Sequence, residues 1–365
     1  MGFGTRRKVR RQCGPGVESL ERRDVPATFR VANVVALEAA IANVSNTTVP
    51  NTIVIAPGTY QVSHQLTLTN PGDLTIESSK NKGNVSIVGG KSDRVFEIIG
   101  GKVTFSQVSI SGGGGVDRGG GIDALNVDLT LENSSVIGNS ATSAGGGIAA
   151  RGGTLNLVNT TVQSNVAGGG AGPAFGGGIF EKGGTLTVTN STLSNNGVSS
   201  ANFSLHGGGI AALNATVNVT HTTLEGNKAL FFGVGTAGTA TGGAIFAQGG
   251  TLTLTNDTVL KNEANVATSG PSAASSGGGV TSVGTAVTVK GGSISGNTLN
   301  ALSAGSQTNV GSAFSTVGGS LAVSDAKMIA NAPNHITSLF DHPSATVDLK
   351  NVSFTNKKKV KTLTL

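Results

Sequence analysis

The stretch Gly145–Asn165, GGGIAARGGTLNLVNTTVQSN, contains the spacing that decides the fold. A glycine run ends in the apolar residue Ile148, and the turn-forming residue Asn159 follows 11 positions later. Asn165 follows 6 positions after that. A block of fixed length that repeats between segments of variable length is typical of a stacked solenoid, because insertions can leave the stack as loops.

This block occurs seven times between residues 119 and 331. Its apolar positions are Ile122, Ile148, Ile179, Ile210, Ile245, Val280 and Phe314. Its turn positions are Asn133, Asn159, Asn190, His221, Asn256, Gly291 and Asp325. Its last positions are Asn139, Asn165, Asn196, Asn227, Asn262, Asn297 and Asn331. Only the segment from that asparagine to the next apolar position varies, from 9 to 18 residues, and we expect it to be a loop that tolerates deletion.

The middle of each block alternates between apolar and polar residues, which predicts a strand with one buried face. The predicted inward pairs are Leu129/Leu131, Leu155/Leu157, Leu186/Val188, Val217/Val219, Leu252/Leu254, Val287/Val289 and Leu321/Val323. A further short strand has the inward residues Val136, Val162, Leu193, Leu224, Val259, Ile294 and Met328. Three short strands in each block predict an all-β fold, a single-stranded right-handed parallel β-helix that is a three-sheet solenoid.

The repeated asparagines have a structural interpretation. At the turn positions, asparagine suits a corner, and His221 is expected to substitute for it. At the last positions, we expect a structural ladder in which stacked side chains are hydrogen bonded between coils; its members are Asn139, Asn165, Asn196, Asn227, Asn262, Asn297 and Asn331. The alternative interpretation of the Asn-x-Ser/Thr sites as glycosylation acceptors is weaker, because four of them fall on the turn positions.

The chain divides into a leader and a solenoid. Residues 1–27 form a basic leader that we expect to be disordered, and residues 28–365 form the β-helix. Within it, 28–118 hold a short N-terminal capping helix and the early coils, 119–331 hold the seven blocks, and 332–365 hold a terminal coil and a basic tail. The helix is predicted within 28–48, with Asn33 as its N-cap.

Composition narrows the possible partners. The net charge is +6, but the leader contributes +4 and the tail 357–361 another +4, so the remainder carries −2. A nearly neutral body argues against a nucleic-acid groove. The sequence contains no run of 18 apolar residues, so it predicts no transmembrane helix. The single cysteine, Cys13, excludes an internal disulfide framework, and the five histidines lack metal-ligand spacing, so we expect neither a metal nor another cofactor.

These motifs resemble the pectate-lyase-like right-handed β-helix superfamily. More narrowly, Gly242-Gly243-Ala244-Ile245 and Val162-Gln163-Ser164-Asn165 resemble the repeat of polymorphic outer-membrane and adhesin-like surface proteins, with valine in place of its phenylalanine. Residues 17–27 resemble an LE-x-R-x-x-PA leader of exported bacterial proteins. The first resemblance implies the fold and leaves both carbohydrate-cleaving enzymes and passive surface rods open. The leader resemblance implies an envelope or extracellular destination, so we expect a secreted or cell-surface protein of the bacterial envelope.

Candidate catalytic residues are few. A polysaccharide lyase of this fold needs carboxylates that hold Ca²⁺, and a glycosidase needs a facing carboxylate pair. The densest acidic set is Asp117, Asp123, Asp128 and Glu132, beside Arg118. These are weak candidates, because their spacing does not place them on one strand face. The competing interpretation is solvated charges at the start of the array.

Two functions follow from the sequence. The first is a non-catalytic cell-surface or secreted β-helix with an adhesive or envelope-structural role, whose partners are glycans or other envelope components. The second is a carbohydrate-active enzyme, either a polysaccharide lyase or a glycoside hydrolase. Three or more acids that converge in one groove would favour the enzyme. Threonines on the outer strand face also allow an ice-binding grid, although Asn156, Val158 and Asn218 interrupt it.

Overall fold

The computed structural model describes residues 25–79, 84–329, 331, 340–341, 346–356 and 359–363. The expected leader lies outside the described residues up to residue 24, as do 332–339 and 342–345 of the terminal segment. The described chain is nearly all β-structure, and its strands form three sheets, here called A, B and C. Strands of successive coils pair in parallel, which confirms the predicted parallel β-helix.

The strands are distributed unequally over the three sheets. Sheet A contains Thr28–Val31, Asn51–Ile55, Leu66–Thr69, Asp73–Ser78, Phe96–Ile99, Lys102–Ser106, Ile122–Glu132, Ile148–Val158, Ile179–Lys182, Thr185–Thr189, Ile210–Thr220, Ile245–Thr255, Val280–Val283, Ala286–Lys290, Phe314–Val317, Ser320–Ser324, Phe340–Asp341 and Thr346–Lys350. Sheet B contains Gly58–Gln61, Val85–Val88, Val108–Ser111, Ser135–Ile137, Thr161–Gln163, Thr192–Ser194, Thr223–Glu225, Thr258–Leu260, Ser293–Ser295, Lys327–Ile329, Val352–Asn356 and Lys359–Leu363. Sheet C contains Val116–Arg118, Ser140–Ala144, Val166–Gly168, Ala174–Phe175, Gly197–Ser200, Leu205–His206, Lys228–Gly233, Gly238–Thr241, Glu263–Thr268, Ser272–Ser276, Thr298–Leu302 and Ser306–Val310.

The main core is a stack of the predicted inward residues. Leu155 lies between Leu129 and Leu186 of the neighbouring coils, and the same register continues through the other blocks. All fourteen inward residues of the middle strands are at most 3% exposed, and those of sheet B are at most 2% exposed. Each such side chain contributes about 1.5–3 kcal/mol by leaving water. The predicted inward positions are therefore confirmed.

The turn positions form the corner between sheets A and B. All seven have a positive φ, from 49° at Asn133 to 69° at Gly291, and His221 has a φ of 50°. Asparagine and glycine tolerate this left-handed conformation, which explains their recurrence at this position. His221 is therefore a substitute turn residue, as predicted.

The last asparagine of each block lies between sheets B and C. The side chains are at most 1% exposed, and each Nδ2 atom donates to the Oδ1 atom of the next asparagine at 2.9–3.0 Å, from Asn139 through to Asn331. The same Oδ1 atoms accept a backbone N–H, as between Asn196 and Asn227. The amides thus satisfy one another and the backbone within the buried interior.

The internal division of the block differs from the sequence prediction. The strand at the apolar position and the middle strand both belong to sheet A, and Ile148–Val158 is one continuous strand. Gly152 and Gly153 have φ values of 71° and 74° and keep the chain in the same sheet, where a corner was expected. The 18-residue block therefore supplies sheets A and B, and the variable segments supply sheet C.

The variable segments are not free loops. Ser140–Ala144 pairs with both Val166–Gly168 and Ala174–Phe175, so sheet C divides there into two arms that continue through the later coils. The two arms face each other across an apolar cluster of Ala167, Ala174, Val198, Leu205, Ala229, Phe231, Ala240, Ala264, Val266, Ala273 and Ala301. We call the two arms and this cluster the side lobe. The expectation that these segments are loops is wrong, because they form strands and bury apolar residues of their own, while their tolerance of deletion stays a prediction.

Phe231 offers a test of the side lobe. It is fully buried, and a Cβ atom at Gly238 would lie 2.5 Å from its ring, so Gly238 leaves the space that the ring fills. We expect Phe231→Ala to lower the free energy of unfolding by about 3–5 kcal/mol, measured by urea unfolding. The neighbouring Phe232 is 56% exposed, and Phe232→Ala should change it by less than about 0.5 kcal/mol. Equal effects of the two variants would contradict a packed lobe.

Both ends of the described array carry a distinct element. The helix Val34–Val44 buries Leu37, Ala40, Ile41 and Val44 against the first strands, and the Oδ1 atom of Asn33 accepts from the Ala36 amide at 2.8 Å. This confirms the predicted capping helix. At the other end, Lys359–Leu363 pairs with sheet B in the antiparallel direction. No helix in the described ranges is long and apolar enough to cross a membrane.

Candidate functional site

The structure separates the four candidate acids into two groups. Asp123 lies on the outward face of sheet A, and Asp117 lies on the first strand of sheet C. Both contact Arg94, so the fold brings these two together. Asp128 and Glu132 lie farther along the sheet A strand and are exposed. Asp128 accepts a hydrogen bond from the Thr154 hydroxyl at 2.9 Å and takes no part in the Arg94 group.

Asp123 is the centre of a network of ion pairs between coils. Arg94 donates through Nη1 to Asp123 Oδ2 at 3.0 Å and to Glu97 Oε1 at 2.9 Å. Arg151 donates through Nη2 to both oxygens of Asp123, at 3.0 and 3.1 Å. The side chain of Asp123 is only 6% exposed. Both oxygens of this carboxylate therefore accept hydrogen bonds from arginines of two different coils.

Asp117 closes the network toward solvent. It lies 3.0 Å from Arg118 and 3.7 Å from Arg94, and its side chain is 56% exposed. The network thus contains three acids, Glu97, Asp117 and Asp123, and three arginines. Across the part of the chain that the structure describes, no group of three or more His, Cys, Asp or Glu side chains could hold a metal ion.

Arg94, Glu97 and Arg151 were not recognised from the sequence as members of this site. They lie 26–29 residues from Asp123, which is about one coil, so only the register between coils brings them together. Phe96 pairs with Ile122, the first apolar position. Extending the block spacing one coil toward the N-terminus would have placed Glu97 beside Asp123.

Farther along sheet A, the outward positions in register with Asp123 include two phenylalanines. Phe180 and Phe246 belong to an apolar cluster on this outer face, separate from the main core. The His206 ring stacks on Phe175 with centroids 4.8 Å apart and lies 4.6 Å from Phe246, and its Nδ1 atom is 2.8 Å from the Thr241 hydroxyl. Burial lowers the pKa of His206 to about 4, so the ring is neutral at physiological pH.

Glu181 is an unexpected acid inside the main core. It takes the place of Ala150 and Ala212 in the neighbouring coils and is fully buried. Among the described residues, neither of its oxygens has a hydrogen-bond partner. Burial raises the pKa of Glu181 to about 8, against a weaker opposing effect of the Gly184 amide. No solvent reaches this carboxyl group, so it is not a surface site.

Asp257 is a second buried acid, at the corner between sheets A and B. Its oxygens accept from the Thr222 and Thr255 amides, both at 2.7 Å. Burial nevertheless raises its pKa to about 6. Ser134, Thr160 and Thr222 occupy the equivalent corners with hydroxyl groups. Asp257 therefore belongs to the supporting structure of the corner.

Comparisons with known proteins give similarities of structure alone. No protein-family model matches the chain, and no curated protein matches its sequence. The A-module of mannuronan C-5 epimerase AlgE4 from Azotobacter vinelandii is similar with 11% identity and a TM-score of 0.37, over 90% of this chain and 98% of that one. A mannuronic acid specific polysaccharide family 6 lyase from human gut microbiota shares 10% identity with a TM-score of 0.31, over 87% and 90%.

A viral protein has a similar TM-score. ORF18 of Geobacillus virus E2 shares 11% identity with a TM-score of 0.36, over 92% of this chain. This chain spans 63% of the length of that protein. All three similarities are of the fold.

Proposed function

We propose that the protein is a non-catalytic β-helix of the cell surface or secreted space, with an adhesive or envelope-structural role exercised through contact with glycans or other envelope components. The observation that supports this most directly is the environment of Asp123, whose two oxygens accept hydrogen bonds from Arg94 and Arg151. A carboxylate that acts as a base or holds Ca²⁺ needs a lone pair directed at its ligand. In this arrangement the charges of the network join neighbouring coils.

The outward faces provide the surface for such contacts. On sheet A, Phe180, Phe246 and the His206 ring are largely buried, so the accessible surface lies farther along the strands. The second half of the same strands presents a field of threonines in register, among them Thr185, Thr216 and Thr251. Hydroxyl groups on a regular surface suit hydrogen bonding to polysaccharides.

The proposal is tested by incubating the purified full chain with a panel of neutral and acidic polysaccharides, with and without Ca²⁺. We expect retention of at least one polysaccharide without any shortening of its chains, measured by co-sedimentation and by the release of reducing ends. Surface exposure is tested separately by protease accessibility on intact cells. Cleavage of a polysaccharide, or a purely cytoplasmic location, would contradict the proposal.

Asp123→Asn separates a structural from a catalytic role. The substitution removes the negative charge between Arg94 and Arg151, and breaking a buried ion pair costs about 3–5 kcal/mol. We expect the free energy of unfolding to fall by an amount of this order, with polysaccharide retention unchanged at a temperature where the variant is folded. The matched control is Asp128→Asn, on the same strand and exposed, with an expected change below about 0.5 kcal/mol.

A second candidate function is a carbohydrate-active enzyme, and one observation favours it. Three acids, Glu97, Asp117 and Asp123, converge on Arg94, and Asp117 is half exposed beside Arg118. Polysaccharide cleavage that is lost in both Asp117→Asn and Asp123→Asn, and retained in Asp128→Asn, would establish this function in place of the first.

A further inference from the structure

The second half of the sheet A strands presents nine outward polar side chains in three successive coils. The segments 185–189, 216–220 and 251–255 lie side by side, and the pairing places Thr216 between Thr185 and Thr251. Alternate residues of each segment face outward, which gives three columns of three residues. We call these nine positions the threonine field; they are Thr185, Thr187, Thr189, Thr216, Asn218, Thr220, Thr251, Thr253 and Thr255.

The threonine field rests on a rigid support. The inward residues between its columns are at most 1% exposed; they are Leu186, Val188, Val217, Val219, Leu252 and Leu254. Each of the three strands pairs in parallel with a strand on both sides, so its backbone is held along the whole segment. Threonine is branched at Cβ and has few rotamers. The field therefore presents its groups at fixed positions, and little has to be ordered when a ligand binds.

The hydrogen-bonding groups of the threonine field are unused. Within the described ranges, no hydrogen bond joins the side chain of any of the nine residues to another residue. By contrast, Thr154 lies one coil earlier in the same column, and its hydroxyl donates to Asp128 at 2.9 Å. Thr216 and Thr251 are exposed, and the other members are half-buried. Eight hydroxyl groups and one amide are thus available to a ligand.

The dimensions of the threonine field suit an extended ligand. Adjacent coils are about 4.8 Å apart and alternate residues of one strand about 6.6 Å apart, so the nine groups cover roughly 10 by 13 Å. All of them lie on one face of one sheet, whereas a single small molecule is usually enclosed in a concave pocket. A ligand that repeats its own hydroxyl groups at regular intervals can contact several columns at once.

The charge of the threonine field selects an uncharged ligand. None of its nine residues is charged, and Lys182 and Lys290 lie only at its margins. Asp128 lies two coils before Thr185 in the same column. A carboxylate or sulfate group at the centre of the field would lose water without gaining a paired cation, which costs free energy.

Asn218, at the centre of the threonine field, favours a sugar over ice. A planar amide interrupts the regular array of hydroxyl groups that would have to match an ice surface. The same amide can both donate to and accept from sugar hydroxyl groups. An uncharged glycan therefore fits the field better than an ice face.

We propose that the threonine field binds the face of an ordered, uncharged polysaccharide, in which neighbouring chains present hydroxyl groups at regular intervals. This inference rests on the proposed function of the protein as a glycan-contacting β-helix and assigns that contact to one face and one class of ligand. The threonine hydroxyls and the Asn218 amide exchange hydrogen bonds with the sugar hydroxyls. Each such bond contributes little by itself. Affinity comes from the number of bonds that an ordered ligand allows to form together.

The test is co-sedimentation of the full chain with microcrystalline cellulose, chitin and an insoluble β-glucan, and with calcium alginate beads as the acidic probe. The triple variant Thr187→Val, Thr216→Val and Thr253→Val removes one hydroxyl from each coil and keeps branched side chains of similar shape. We expect its affinity for the neutral probe that the wild type retains to fall at least about tenfold. The matched control changes three outward threonines of sheet B in the same coils, with unchanged affinity; it is Thr192→Val, Thr223→Val and Thr258→Val.

Two further measurements separate recognition from folding. Both valine variants should unfold at the same urea concentration as the wild type, because the changed side chains face outward. Serine at the three field positions keeps the hydroxyl groups and should preserve the binding. The retained polysaccharide should lose most of its binding once it is swollen to an amorphous form, since the swollen form has the same chemistry without the order.

Each outcome bears on one of the two proposals. Equal retention of the two valine variants would overturn the threonine field as the site and leave the proposed function intact. Retention by alginate alone, or equal binding to the ordered and swollen forms, would overturn the ligand class. Shaping of ice crystals that is lost in the field variant, without retention by any polysaccharide, would assign the field to ice and overturn the proposal. If the wild type neither binds a polysaccharide nor shapes ice, the proposed glycan contact itself fails.

Discussion

Replacing Glu181 with alanine should remove about 2–3 kcal/mol of the pH dependence of stability between pH 6 and pH 9. The pKa of the buried carboxyl group is about 8, against an ordinary value of 4.5 for glutamate. The folded state therefore holds a proton that the unfolded state has released, so the wild-type stability falls as the pH rises through this window. At about 1.4 kcal/mol per pH unit, the loss reaches this size near pH 8.

Urea unfolding at pH 6 and pH 9 measures this effect. Ala150 and Ala212 occupy the same position in the neighbouring coils, so the substitution is compatible with the fold. The matched control is Glu225→Ala, because Glu225 lies on the surface beside Lys261, and its pH dependence should follow the wild type. The pKa of Asp257 is also raised, to about 6, so its contribution to stability is lost as the pH rises from about 4 to 6, mostly below this window, and it is the same in both proteins. An unchanged slope in Glu181→Ala would contradict a protonated acid in the core.

Replacing Asn227 with alanine should lower the free energy of unfolding by about 4 kcal/mol or more. Its Oδ1 atom accepts from the amide and Nδ2 of Asn196, at 3.1 and 3.0 Å. Its Nδ2 atom donates to Asn262 Oδ1 at 3.0 Å and to the Leu193 carbonyl at 2.9 Å. All four bonds are buried, and each partner left unsatisfied costs about 1–3 kcal/mol.

The control for Asn227→Ala is Asn218→Ala. Asn218 lies on the partly exposed outer face of sheet A between Thr187 and Thr253, and its loss should change stability by less than about 0.5 kcal/mol. Hydrogen exchange adds a local measurement: the Asn196 amide, which donates to Asn227, should lose protection first. If both variants unfold at the same urea concentration, the buried asparagines do not support the stack.

The sequence predicts those parts of the fold that depend on local patterns. Alternation places Leu155 and Leu157 inward, and an asparagine at a fixed spacing marks a left-handed corner, because both features follow from the backbone of a single coil. Sheet C has no such pattern. Its segments differ in length, and residues such as Ala229 and Phe231 become core residues only when the two arms face each other.

The candidate site was predictable in part for the same reason. Asp123 and Asp117 were recognised by their density in the sequence, but Asp128 and Glu132 were grouped with them only because they are close along the chain. Asp123 meets Arg94 and Arg151 because neighbouring coils stack in register. The order of charged residues along the chain does not reveal this register.

The side lobe has a consequence for how such a protein can diversify. Its apolar cluster is separate from the main core, and it begins where sheet C divides at Ser140–Ala144. Segments of 9 to 18 residues there leave the register of the sheet A strands unchanged from coil to coil, whereas a change to a buried lobe residue such as Phe231 still costs stability. Because neighbouring coils carry segments of different length there, natural selection can remodel one flank of the protein coil by coil. The regular interior and the variable flank are therefore built from separate parts of each coil.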